Sequence, residues 1–113
     1  MHMDVDFVIA ITGTVSTSAV IPAGFRLQSL NVPAIDNATL TLTLSDDDST
    51  FRATFDAAAA TGVVQAASVG SRIVTIADPL SRATEGRAVK VTAGAAQNTA
   101  AVTIRGRCVE TKA

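Results

Sequence analysis

The sequence predicts an all-β protein, an antiparallel β-sandwich with strands in a jelly-roll or Greek-key order. Three observations carry that prediction. Apolar and polar residues alternate with a period of two along most of the chain. Clusters of Gly, Pro and Asp cut the alternation into seven or eight short segments. No stretch of useful length carries the 3.6-residue spacing of an amphipathic helix. Many short strands with turn signals between them fit two sheets packed face to face.

The segments justify themselves in order. Residues 5–12 alternate, with Phe7, Ile9 and Ile11 on one face and Val8 and Ala10 on the other. After Gly13, residues 14–21 form a weaker extended segment that ends at the turn Pro22-Ala23-Gly24. Residues 25–32 put Phe25 and Leu27 inward and then Leu30 and Val32. That phase change predicts a bulge or bend near Ser29. Residues 38–45 are the clearest strand, with Leu40, Leu42 and Leu44 on an inner face and Thr39, Thr41 and Thr43 on an outer one. Threonine is β-branched and suits the pleated surface, so both faces favour a strand.

Asp46-Asp47-Asp48-Ser49 is turn chemistry, because Asp side chains bond their own backbone. Residues 50–55 then return as the second arm of a hairpin. The alanine-rich run from Asp56 to Thr61 is too short for an independent helix and reads as a loop. Strands are expected over 62–68 and 71–77, with Gly70 between them and Asp78-Pro79-Leu80 as a stop. Residues 87–93 put Val89 and Val91 inward, with Ala88 and Lys90 outward. After a turn over 94–98, residues 100–109 put Val102, Ile104 and Cys108 inward, with Thr103, Arg105 and Arg107 outward.

At 113 residues, with 48% hydrophobic and 17% charged residues, the chain reads as one globular domain over 1–113. The charged share is below the usual quarter or so. Much of the polar surface must come from Thr, Ser, Asn and Gln, a surface suited to packing against neighbours. Net charge is −1, which offers no basic excess for a nucleic-acid partner. Seven of the cations are Arg and two are Lys, a bias found at protein interfaces. The longest apolar run, Phe7–Ile11, is too short to span a bilayer, so no membrane role is expected. The N-terminus lacks the basic and apolar regions of a signal peptide, which points to synthesis in a reducing compartment.

Catalytic equipment is scarce. His2 is the one histidine and Cys108 the one cysteine, so neither a Cys–His pair nor a zinc site is expected. No G-x-S-x-G elbow occurs. Glu85 and Glu110 are the only glutamates, Asp4 and Asp6 share one face of the first strand and Asp46–Asp48 crowd one turn, with no pair marked as flanking a sugar-binding cleft. Trp and Tyr, which stack on sugars, are absent. The Asp46–Asp48 cluster offers hard oxygen ligands for Ca²⁺, but three consecutive side chains cannot all face one ion, and a solvated hairpin turn is the expected reading. The chain is therefore expected to bind or assemble rather than catalyse, with no cofactor.

The stretch from Val32 to Asp56 resembles a family of small bacteriophage virion proteins. That family carries a proline, then A-x-L-T, then S-x-D-G-x-T-F and a following Asp. Pro33, Ala38, Leu40, Thr41, Ser45, Asp47, Thr50, Phe51 and Asp56 match it. The resemblance continues in Asp78-Pro79, Val89-Lys90-Val91 with Gly94, Gln97 and Thr103-Ile104-Arg105, and so covers most of the chain from about residue 20. Two departures stand out. Ala34–Asn37 replaces a region with an aromatic residue, and Asp48 stands where the family has a turn glycine.

The resemblance implies a component of a tailed-phage particle: a head decoration (cement) protein or head-fibre module on the virion surface. Its partners would be the major capsid protein and copies of itself, as a homotrimer on local threefold axes. Residues 1–12 would be a strand or arm presenting Val5, Phe7 and Ile9 to a neighbour's sheet edge. By the residues alone, the outward Thr41 and Thr43 are either a flat subunit interface or a merely solvated sheet face, and Arg105 and Arg107 either pair across such an interface or are solvated. The alternative is a tail or fibre module that recognises host-surface glycans, against which the absence of Trp and Tyr counts.

Overall fold

The computed structural model describes residues 2–35, 38–53, 63–68 and 71–111. In chain order they form β1 (His2–Ile9), β2 (Ala19–Val20), β3 (Phe25–Val32), β4 (Ala38–Ser45), β5 (Arg52–Ala53), β6 (Val63–Ser68), β7 (Arg72–Thr75), helix α1 (Asp78–Ala83), β8 (Ala88–Ala93) and β9 (Val102–Glu110). One sheet has the order β1-β9-β3-β7; the other runs β2-β8-β4, with β5 and β6 both on the far side of β4. Every described pairing is antiparallel. The chain crosses between sheets at each step from β1 to β4 and again from β6 to β9. That is a jelly-roll connectivity, so the all-β sandwich is present as expected.

The inward faces follow from the alternation. Phe7, Ile9, Leu27, Leu30, Val32 and Ile104 come from the first sheet and Leu40, Leu42, Val89 and Val91 from the second; all are at most 1% exposed and share one core. Each such side chain is worth about 1.5–3 kcal/mol when withdrawn from water. Gly106 lies on the inward parity of β9 between Ile104 and Cys108. A Cβ there would come within 2.7 Å of Leu27 Cδ1 and 3.0 Å of Phe7 Cε2, so its bare Cα lets β1 and β3 close over β9.

The bend near Ser29 is a bulge. Leu27 pairs with Cys108 and Ser29 with Arg107, leaving Gln28 as the extra residue. This is why Leu27 and Leu30, three apart, both point inward.

Four expectations need correction. The first strand ends at Ile9, and a turn at Ala10–Gly13, with Thr12 at φ 68°, leaves Ile11 53% exposed. Residues 14–21 contribute isolated bridges at Val15 and Ser16 and the two-residue β2 rather than a full strand. The hairpin partner of β4 is only Arg52–Ala53 among the described residues; the expected loop over 56–61 lies outside them. Asp78-Pro79-Leu80 does not merely stop a strand but begins α1. Pro sits in its first turn, where its missing N–H costs nothing, and Arg82 Nε donates to Asp78 Oδ2 at 2.9 Å one turn away.

Candidate functional site

The residues expected at an interface fall into three separate places. Phe7 is fully buried and Ile9 is 1% exposed, both in the core. β1 does not project as an arm: all eight of its residues pair with β9 of the same chain. The alternating pattern that suggested an arm is that of a strand with a core-facing side. Val5 is half-buried and packs against the rim of the core.

Arg105 and Arg107 lie on the outer face of the first sheet. Arg105 stands opposite Asp6, and its Nε donates to Asp6 Oδ1 at 3.2 Å; Arg107 stands opposite Asp4. This face is therefore a row of alternating charge. Both partners in the Arg105–Asp6 pair are about half exposed or more, so the pair contributes only about 0.2–1 kcal/mol.

Thr41 and Thr43 lie on the outer face of the second sheet, on the opposite side of the molecule. Thr41 stands beside Thr92, and Thr43 lies between Lys90 and Ala53. Val20 pairs with Ala88 and Val15 with Thr92 on the same side, 57% and 49% exposed. Lys90 is the one ionised side chain among the outward residues of β2, β4 and β8. Its Nζ lies 4.4 Å from the centre of the Phe51 ring, which holds part of that charge over an aromatic face. The sandwich thus has one charged outer face and one almost uncharged face of Thr, Val and Ala.

The acidic turn is a hairpin device. Asp47 Oδ1 accepts the Ser45 hydroxyl at 2.7 Å and the backbone N–H groups of Ser49 and Thr50 at 2.9 Å each. These donors, led by the Thr50 N–H, lower the Asp47 pKa from 3.8 to about 2. Asp46 turns away and accepts Arg87 Nε at 2.7 Å. Asp48 adopts φ 56°, the left-handed conformation that glycine takes most easily. The three carboxylates do not converge, and no group of three or more metal-ligating side chains occurs among the described residues.

Cys108 is fully buried. Burial, then the nearby Asp4 charge, push its thiol up to about 11, so at neutral pH it is protonated and a poor nucleophile. Gln97 has a structural role that its place in a turn did not announce. Its backbone N–H donates to Gly13 O at 3.1 Å, and its carbonyl accepts the Thr12 N–H at 2.8 Å. Its side chain is buried and donates to Ala95 O at 3.1 Å. Beside it runs an open groove of about 430 Å³ lined by Pro33, Ile35, Gln97, Thr99 and Val102. No signal in the sequence locates that groove, because loops distant along the chain form it. No helix among the described residues is long and apolar enough to cross a membrane.

No family model matches the chain. No curated protein matches it either. Among solved structures, the core of Drosophila NLP, described in connection with pentamer formation and histone binding, is similar at a TM-score of 0.43 and 11% identity, over 99% of this chain and 100% of that one.

Proposed function

We propose that the chain is a non-catalytic structural protein of a tailed-phage particle, a decoration protein that binds major capsid protein subunits on the head and associates with copies of itself. The observation that carries this reading is the outer face of the second sheet. Val15, Val20, Thr41, Thr43 and Thr92 share one half-apolar outer face, on which Lys90 is the one ionised residue of β2, β4 and β8. Such a surface gains by being covered and suffers little electrostatic cost on docking. The sequence resemblance to small virion proteins supplies the kind of partner. Weak individual contacts suffice on a shell, because many copies bind a repeating lattice together.

The test is the copy number in purified virions, measured by quantitative mass spectrometry against the major capsid protein. Comparable numbers support a shell component; a handful per particle would move the protein to the tail or a vertex; absence would end the virion reading. A companion variant, Thr41→Asp with Thr43→Asp, places two carboxylates on the uncharged face. It should remove capsid binding while leaving the fold intact, and unchanged binding would rule out this face.

A further inference from the structure

Among the described residues no strand pairs with the outer side of β1 or of β7, and the two edges match each other. At the β1 edge, Thr17 covers the upper end: its N–H donates to Val8 O at 2.9 Å, and its Oγ1 accepts the Val8 N–H at 3.1 Å. Backbone groups two residues apart point the same way along a strand. The N–H and C=O of Asp4 and Asp6 therefore point to the same edge as those of Val8, below the stretch that Thr17 covers. At the other edge, the Ile76 N–H donates to Gln28 O at 3.0 Å, which turns the even-numbered residues of this strand toward β3. The N–H and C=O of Ile73 and Thr75 then face outward, away from the sheet.

We infer that copies of this chain join head to tail, with the β7 edge of one copy adding to the β1 edge of the next, so that the first sheets run on as one antiparallel sheet. Strand polarity allows it. In the order β1-β9-β3-β7 with every neighbour antiparallel, the two edge strands run in opposite directions. A copy placed alongside by rotation or translation therefore presents β7 antiparallel to β1.

Register and side chains agree. Pairing Asp6 with Ile73 of the next copy, and Asp4 with Thr75, uses the outward-facing backbone groups on both strands. It also sets Val5 beside Val74, both pointing to the interior, where Val5 is incompletely covered in the single chain. On the outer face, Val8 and Ile73 are the exposed large apolar side chains of this sheet, 38% and 64% exposed, and they stand at its opposite edges. The joint makes them diagonal neighbours, close enough for contact.

Charge selects this pairing over the symmetric one. Two β1 edges placed together would set Asp4 and Asp6 against their own copies, which is destabilising. β7 carries Arg72 and no carboxylate. A head-to-tail contact is heterologous, so the assembly closes as a ring when the rotation permits. This inference rests on the self-association in the proposed function and not on the particle itself.

The test is the mass of the free protein in solution by light scattering, with two proline variants. Asp6→Pro removes an outward N–H at the β1 edge, and Ile73→Pro does the same at the β7 edge. Proline is tolerated where a strand N–H faces away from its own sheet. The unaltered chain should be a closed oligomer, and each variant a folded monomer by circular dichroism. An equimolar mixture of the two should give a dimer and nothing larger, because only one intact joint can form between them. A monomeric unaltered chain would overturn both the joint and self-association. Variants that remain oligomeric, or a mixture that stays monomeric, would overturn the joint and leave self-association to another surface. If a proline variant does not fold, Asp4→Cys combined with Thr75→Cys replaces it. Mild oxidation should link that double variant into a ladder of copies and leave each single variant unlinked beyond a dimer; no ladder overturns the joint.

Discussion

Thr84 Oγ1 accepts the backbone N–H of Leu27 at 2.9 Å, so the residue that follows α1, rather than a strand, completes the edge of β3 where its ladder slips. The same hydroxyl donates to Ser81 O, and Ser81 Oγ donates to Leu27 O at 2.6 Å. Arg26 then reaches over to Ser81 Oγ and Asp78 Oδ1 at 3.0 and 3.2 Å. Both backbone groups of Leu27 are thus satisfied at a buried position that β7 does not reach.

Thr84→Val keeps the shape of the side chain and removes its hydrogen bonds. It leaves the Leu27 N–H buried without a partner, which should cost about 1–3 kcal/mol. Thr84→Ser should retain most of the stability. Urea denaturation of the two variants beside the unaltered chain reads the difference; equal midpoints for Val and Ser would mean that the helix is not what holds this edge.

Gly106→Ala tests how closely β1, β9 and β3 pack. The added methyl would lie 2.7 Å from Leu27 Cδ1, 3.0 Å from Phe7 Cε2 and 3.1 Å from Val5 Cγ2. Three side chains would have to shift together. Overpacking of this kind should cost about 1–3 kcal/mol, read as a lower thermal midpoint with an unchanged far-ultraviolet spectrum. Adding Leu27→Ala should give a double variant that loses less than the sum of the two single losses, because the deletion makes room for the methyl.

Much of the fold was legible because alternation is a local signal. β4 and β9 carry it almost without interruption, so Leu40, Leu42, Leu44, Val102, Ile104 and Cys108 could be placed inside from spacing alone. The bulge was legible as a phase change between Leu27 and Leu30. The helix was not, since six residues hold fewer than two turns and its hold on the fold comes from distant backbone at Leu27. The placement of the candidate interface residues was legible only in part. Parity says that Thr41 and Arg105 each point away from the core; it does not say which sheet each strand joins, and the two residues lie on opposite faces. For β1 the alternation could be read but its own-chain partner β9 could not, because an apolar face fits an own-chain core as well as a neighbour's edge.

Cys108 should behave as a reporter of unfolding. Its thiol titrates at about 11 in the folded chain against an ordinary 9.0. A raised thiol pKa stabilises the fold fully below about pH 9, and that contribution is lost as pH rises toward 11. Stability should therefore fall across that window, and Cys108→Ala should flatten the fall. At pH 8 the native protein should react with a thiol reagent at least about a hundredfold more slowly than the protein in denaturant, from the pKa difference alone. Equal rates would mean that β9 opens readily.

The acidic turn gives the opposite dependence. Asp47 has its pKa lowered to about 2 by the Thr50 N–H, the Ser45 hydroxyl and the Ser49 N–H. A lowered carboxylate pKa contributes stability that is present above the ordinary 3.8 and is lost as pH falls toward 2. Asp47→Asn should weaken the turn at pH 7 and remove part of the acid sensitivity between pH 4 and 2, measured by denaturation at each pH. Asp48 separates conformation from charge at the neighbouring position. Because its φ is 56°, Asp48→Gly should be neutral or stabilising, whereas Asp48→Ala should cost up to about 1–2 kcal/mol. If glycine and alanine behave alike there, the left-handed turn is not what sets the end of β4. If they differ as expected, the left-handed backbone sets this position, and glycine and aspartate answer the same requirement there.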